Sequence, residues 1–165
     1  MNNILVVFKK NHEQVHDGAL STVISTLNKA KQTYGFEFRT VPREEVERDD
    51  FMGPEAVIVL GGDGTLTSIA HSVDDQTLVM GVNSHPMDSG GSGSFGFFMG
   101  SDPTRFPLDL DHLLRGSCII NTIPRLQAEI MSTSGNIIRS DPALIKLLCS
   151  HNISSGRSTD HNSGG

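Results

Sequence analysis

Apolar residues occur along this chain in three kinds of pattern. Ile4-Leu5-Val6-Val7-Phe8 and Ala56-Val57-Ile58-Val59-Leu60 are unbroken runs, as expected of strands buried on both faces. Between them Val15, Ala19, Val23, Leu27 and Ala30 recur at helical spacing, which predicts a helix from about Glu13 to Tyr34 with Gly35 as its C′ residue. Phe36 to Val41 alternates like a half-buried strand, and Pro42 predicts a short acidic surface helix over Arg43 to Arg48. Beyond the central strand, Leu66 to Ala70 reads as a helix start and Thr77 to Met80 as a further strand. Leu108 to Arg115 predicts a last short helix. Ser117 to Thr122 and Pro124 to Met131 predict two strands of a second sheet, with a hairpin turn at Ser132 to Asn136.

Strands alternating with helices imply a mainly parallel sheet covered on its faces. The expected fold is therefore α/β, a doubly wound, Rossmann-like N-terminal domain over residues 1–115. Residues 116–149 are expected to start a β-rich second domain, and 150–165, which lack any apolar period, to form a disordered tail.

The candidate chemistry sits where the central strand ends. Gly61-Gly62-Asp63-Gly64-Thr65 joins that strand to the next helix. Glycines let backbone N–H groups approach a phosphate, and a helix start adds donors and a favourable dipole. A carboxylate there repels phosphate directly, so Asp63 is better suited to a cation, a hydroxyl or a sugar beside the phosphates. The plainer alternative is that Asp63 or Thr65 caps the helix and the glycines only make the turn.

Gly-Gly-Asp-Gly-Thr after a strand resembles the signature of the superfamily that holds NAD kinases, diacylglycerol and sphingosine kinases and, more distantly, phosphofructokinases. Gly81-Val82-Asn83 resembles the Gly-(Ile/Val)-Asn of NAD kinases, Gly96-Phe97-Phe98 their Gly-Phe-(Leu/Tyr), and Arg125-Leu126 the segment that opens their second domain. These landmarks stand in family order, and the resemblance covers roughly residues 3 to 144. No Pro-x-Gly-Thr-Gly-Asn segment of the lipid-kinase kind is present, which leaves a lipid kinase as a distant alternative.

The resemblance implies transfer of the γ-phosphoryl of ATP, or of inorganic polyphosphate, to the 2′-hydroxyl of the adenosine ribose of NAD, with Mg²⁺ as the divalent cation. It implies that Asp63 is catalytic, by accepting the hydroxyl proton or by holding ribose and cation. Gly61, Gly62, Gly64, Thr65, Asn83, Gly96 and Phe97 are the nucleotide-binding candidates, with Asn83 either fixing the turn or meeting the nucleotide and Phe97 against the adenine, although either Phe97 or Phe98 could be core. It also implies a homo-oligomer for the full-length family member.

The chain then departs from the pattern. Where NAD kinases carry Ala-Leu-Asn-Glu, this chain reads Ala143-Leu144-Ile145-Lys146, and neither replacement side chain accepts a hydrogen bond from a nucleotide. The departure is read as a truncation, from a frameshift near Asp141 to Ile145, or as a short variant. A non-catalytic nucleotide-binding protein is thus the alternative to an active kinase. The apolar Ile119, Ile120, Leu126, Ile130 and Ile137 would then lack a cover.

Composition narrows the remaining classes. The net charge of −6 over 165 residues disfavours nucleic-acid and acidic-membrane partners. Two cysteines, Cys118 and Cys149, are too few for a disulfide framework, so reduced thiols in a cytoplasmic setting are expected. No metal-ligand set is expected. His12 and His16 stand four apart but lack a third ligand and read as a solvated helix face. Lys9 and Lys10 follow the first strand, where phosphates bind in open sheets, yet ordinary surface lysines are the default. Residues 88–94 read as a flexible insertion, or as a lid over the site.

Overall fold

In the computed structural model the first strand, β1 (Asn3–Phe8), lies at the interior of a four-stranded sheet. The structure describes residues 1–10, 14–87, 89 and 91–144, with the backbone alone for 14–16. The expected His12 and His16 pair, the Ile145-Lys146 replacement, Cys149 and the tail lie outside the described residues or side chains.

Helix α1 (Gln14–Tyr34) follows β1 and ends at Gly35, whose φ of 72° and N–H bond to Lys31 O at 2.9 Å fit the expected C′ role. The chain continues through β2 (Glu37–Pro42), β3 (Ala56–Gly61), α2 (Asp63–Ile69), β4 (Leu78–Asn83) and α3 (Phe106–Leu114). The four strands are all parallel, in the order β2-β1-β3-β4. Val6, Val7, Val57, Ile58 and Val59 are fully buried, which explains why β1 and β3 carry no polar alternation.

The sheet separates two cores. On one face Val23 and Leu27 of α1 and Phe106, Leu110 and Leu113 of α3 pack on Ile4, Val6, Ile58 and Leu60. On the other, Leu66 and Ile69 of α2 and Phe51 pack on Leu5, Val7, Val57 and Val59. The fold is the doubly wound, Rossmann-like α/β unit that the sequence predicted. Among the described residues no helix is long and apolar enough to cross a membrane.

Two expectations fail locally. Arg43 to Arg48 is not a helix. Pro42 is instead the last residue of β2, paired with Phe8, and Arg43 N–H extends the ladder to Phe8 O at 2.8 Å. A turn closed by Glu45 N–H on Pro42 O leads to a single 3-10 turn, Arg48–Phe51, held by an Arg39–Asp50 ion pair and buried Phe51. Ser117 to Thr122 is not a strand either. No neighbouring strand pairs with it among the described residues, and Ile119 is 91% exposed, so β-branched content alone does not make a strand without a ladder partner.

Of the expected Pro124 to Met131 strand, only β5 (Glu129–Met131) pairs, antiparallel, with β6 (Ile137–Arg139), across the predicted turn at 132–136. Leu126 adds an isolated bridge to Ala143, with bonds of 2.8 and 2.7 Å in the two directions. Ile120, Leu126, Ile130 and Ile137 are exposed along with Ile119, as the sequence reading expected.

The ends of α1 and α3 are joined by Tyr34, whose hydroxyl donates to Asp111, while Arg115 Nε lies 2.8 Å from the same carboxylate. The Tyr34 hydrogen bond, then Arg115, holds the Asp111 carboxyl below the usual aspartate range. A carboxyl depressed in the folded state adds stability that is present above its unfolded pKa and is lost as pH falls below about 4. Asp111→Asn is therefore expected to flatten the acid limb of the urea midpoint against pH. Wild-type and variant midpoints that fall in parallel as the pH drops from neutral through that range would contradict this linkage.

Candidate functional site

The chain winds from β1 to β2 on one side and then to β3 on the other, so the winding direction switches between β1 and β3. In open α/β sheets the crevice at the carboxyl ends of the strands, at such a switch, is where ligands bind. Here that crevice is bordered by Lys9 after β1, Gly61 and Gly62 at the end of β3, and Asn83 and Ser84 at the end of β4. Lys9 N–H bonds Leu60 O at 3.1 Å and Ser84 N–H bonds Gly61 O at 3.0 Å, so the three strand ends stand side by side. A small cavity of about 50 Å³ opens there, lined by Phe8, Lys9, Lys10, Asp17, Leu20, Leu60 and Ser84. Lys10 is a surface residue with a partner, Glu45, at 3.2 Å.

The glycine turn is tight because of what packs on it. A Cβ on Gly61 would overlap the Thr65 hydroxyl and come within 2.8 Å of Thr65 Cβ. Thr65 is buried and its N–H closes onto Gly62 O at 2.9 Å. The N-cap of α2 is Gly62, and no side chain caps it. Asp63 is thus not the cap that the plainer reading allowed.

Its carboxylate reaches across the crevice instead. Asp63 Oδ2 accepts the N–H of Phe97 and Oδ1 the N–H of Phe98, both at 2.8 Å. Asn83, 6% exposed, holds the same loop from the other side. Its Nδ2 donates to Ser94 O at 3.1 Å and its Oδ1 accepts the N–H of His85 at 3.2 Å. The Asn83 amide is therefore committed to the protein interior rather than presented to the crevice.

The ends of the 88–94 segment are tied together: Ser94 N–H bonds His85 O at 2.8 Å and Met87 N–H bonds Ser94 O at 3.0 Å, while the described residues between them, 89 and 91–93, are exposed. Asp88 and Gly90 lie outside the described residues. Gly93 has a φ of 110°, and a Cβ there would meet Pro86 O at 2.6 Å. Past the loop, Ser101 bridges in parallel to Val82, and its hydroxyl donates to Asp109 of α3 at 2.6 Å.

The two phenylalanines of the Gly-Phe-Phe segment divide their roles. Phe98 packs on the α2-side core, whereas Phe97 is 77% exposed and meets Phe98 edge-on at 5.0 Å between centroids. Phe97 is thus the residue of the pair that remains available to a ligand. Sequence reasoning missed the neighbouring Phe95, which is 79% exposed, because no motif singles it out. Arg125 does not enter the crevice. Its Nη1 donates to Ala70 O and Val73 O, at 2.7 and 2.6 Å, at the far end of α2. Leu144 packs beside the same α2-side core.

Residues 4–117, most of the chain, match the ATP-NAD kinase N-terminal domain. The chain belongs to the NAD kinase family. It is 29% identical over 108 residues to an NADH kinase of Arabidopsis thaliana, an alignment covering 57% of this chain and 34% of that protein. Among solved structures it is similar in fold to an NAD kinase from Archaeoglobus fulgidus in complex with ATP, with a TM-score of 0.55 and 15% identity. That match covers 81% of this chain and 44% of the archaeal one, so the chain spans less than half the length of either relative. Among the described residues no group of three or more His, Cys, Asp or Glu side chains forms a metal cage.

Proposed function

We propose that this chain binds nucleotide in the crevice between the glycine turn and the Ser94–Phe98 loop, as part of an NAD(H) kinase. The reaction would pass the γ-phosphoryl of ATP to the 2′-hydroxyl of the adenosine ribose of NAD or NADH. The observation that carries this reading is the position of Asp63, at the switch-point edge and within a glycine turn, bonded to the backbone N–H of Phe97, whose side chain is exposed.

Asp63 would receive or orient the attacking hydroxyl, and a carboxylate that already accepts two N–H groups keeps further lone pairs for it. Gly61, Gly62, Gly64 and Thr65 would shape the turn beneath the phosphates. Phe97 would cover the adenine, with Gly96 giving the loop its bend and Asn83 holding that loop in place. A single carboxylate suits Mg²⁺ only when the cation arrives on the phosphates of ATP, which would supply most of its oxygen ligands. There it would neutralise phosphate charge. A second reading, nucleotide binding without turnover, is favoured by one feature, Ile145-Lys146 in place of Asn-Glu.

Titration of the isotopically labelled chain with ATP and Mg²⁺ tests the location. Amide resonances of 61–65 and 94–98 are expected to shift together and saturate. Shifts confined to other parts of the sheet, or none at millimolar ATP, would sink the assignment.

A further inference from the structure

The crevice contains a carboxylate whose two oxygens are already engaged by the protein. We propose that Asp63 is a positioning residue: its carboxylate pins the Phe97–Phe98 backbone over the glycine turn before any ligand arrives. For its ligand-binding consequence, this role rests on the nucleotide reading above.

Three observations converge on it. First, the two 2.8 Å bonds from Phe97 and Phe98 N–H tie the end of the loop to the start of α2 across 34 and 35 residues of sequence. Backbone amides accepted by a carboxylate form charge-assisted bonds, stronger than those to a neutral acceptor. Second, the rest of the loop is shaped to reach that point. Asn83 fixes Ser94, Gly96 turns the chain at a φ of 69°, and Gly62 leaves room for the Ser94 side chain, 2.8 Å from where a Cβ would stand. Third, the clamp holds outward what hydrophobicity would draw inward. Phe95 and Phe97 stand 79% and 77% exposed on a segment whose backbone is tied at both ends.

The consequence is preorganisation. A loop already in place does not charge its ordering entropy against ligand binding. Removing the carboxylate should therefore weaken nucleotide affinity, whereas a group acting only on the reacting hydroxyl proton would lower turnover and leave the free protein unchanged.

The test reads amide hydrogen exchange of the nucleotide-free chain, then ATP affinity. Asp63→Asn keeps the shape but sets an amide NH₂ against one of the two N–H donors. Phe97 and Phe98 amides are expected to lose protection by about tenfold or more, with Val6 and Ile58 unchanged as reporters of the core. ATP affinity is expected to fall by about tenfold or more in the same variant. Gly96→Ala approaches from the other side. It leaves the carboxylate intact and displaces the loop, because an alanine there is strained and its Cβ would stand 2.5 Å from Asn83 Nδ2. It too should weaken ATP binding.

Equal protection of Phe97 and Phe98 in wild type and Asp63→Asn would overturn the proposal. So would wild-type ATP affinity in Gly96→Ala beside a loss in Asp63→Asn. Should a variant unfold, the wild type still decides: exchange of both amides at unprotected rates overturns the clamp, and protection supports it. If the wild type binds no ATP yet loses amide protection on Asp63→Asn, the functional reading fails while the clamp stands.

Discussion

Phe106→Ala is expected to destabilise the fold by about 3–5 kcal/mol, the range for emptying a large aromatic site in a packed core. Phe106 is fully buried where α3 begins, in the cluster that includes Ile58, Leu60, Val82, Leu110 and Leu113. The neighbouring backbone resists collapse into the space. Asp102 accepts the N–H groups of Thr104 and Arg105 at 2.8 and 3.1 Å, and Phe106 N–H bonds Asp102 O at 2.8 Å, so the start of α3 is fixed. Domains of this size are commonly stable by only about 5–15 kcal/mol, so the variant should be near the edge of folding. Leu108→Ala, two residues on at a 59% exposed position, is the control and should change stability by no more than about 0.5 kcal/mol. Urea unfolding of the three proteins checks the contrast. Equal midpoints for Phe106→Ala and Leu108→Ala would mean that α3 does not close this face of the sheet.

Asp63→Ala is expected to lower kcat/KM for NAD(H) phosphorylation by at least about 10²-fold, the lower bound for losing a positioned general base. Two effects add in the same direction. The variant removes the acceptor for the attacking hydroxyl, and it frees the Phe97 and Phe98 amides that the carboxylate ties down. Thermal stability should change far less than activity, because Asp63 is only half-buried and packs in neither core. An activity within about threefold of wild type, measured on protein purified away from host kinase, would remove Asp63 from the chemistry.

What was legible in the sequence followed from burial. β1 and β3 are covered on both faces and so are written as unbroken aliphatic runs. The buried face of α1 repeats at the helical period through Ala19, Val23 and Leu27. Arg43 to Arg48 misled because the local helix signal of Pro42 competes with a ladder bond to Phe8, which lies far away in sequence. Residues 117–122 misled for the opposite reason, since a strand composition without a neighbouring strand forms no ladder.

The site was legible to the same depth. The glycine turn announces itself because Gly61 and Gly62 cannot carry side chains against Thr65 and Ser94. The clamp does not, because the partners of Asp63 are backbone amides, and any residue type at 97 and 98 would supply them. Arg125 likewise donates to two backbone carbonyls just past the end of α2, those of Ala70 and Val73, an arrangement that no side-chain pattern marks. Asn83 was recognised by its motif, and its amide is bonded to Ser94 and His85, which agrees with the turn-fixing role weighed for it.

The decisive measurement is the formation of NADP or NADPH by the purified chain supplied with NAD or NADH, ATP and Mg²⁺, with Asp63→Ala in parallel. An NAD(H) kinase predicts product that accumulates with the wild type, consumes ATP in equal amounts and is lost in the variant. No product from folded, ATP-binding wild-type chain would contradict turnover and leave nucleotide binding as its activity.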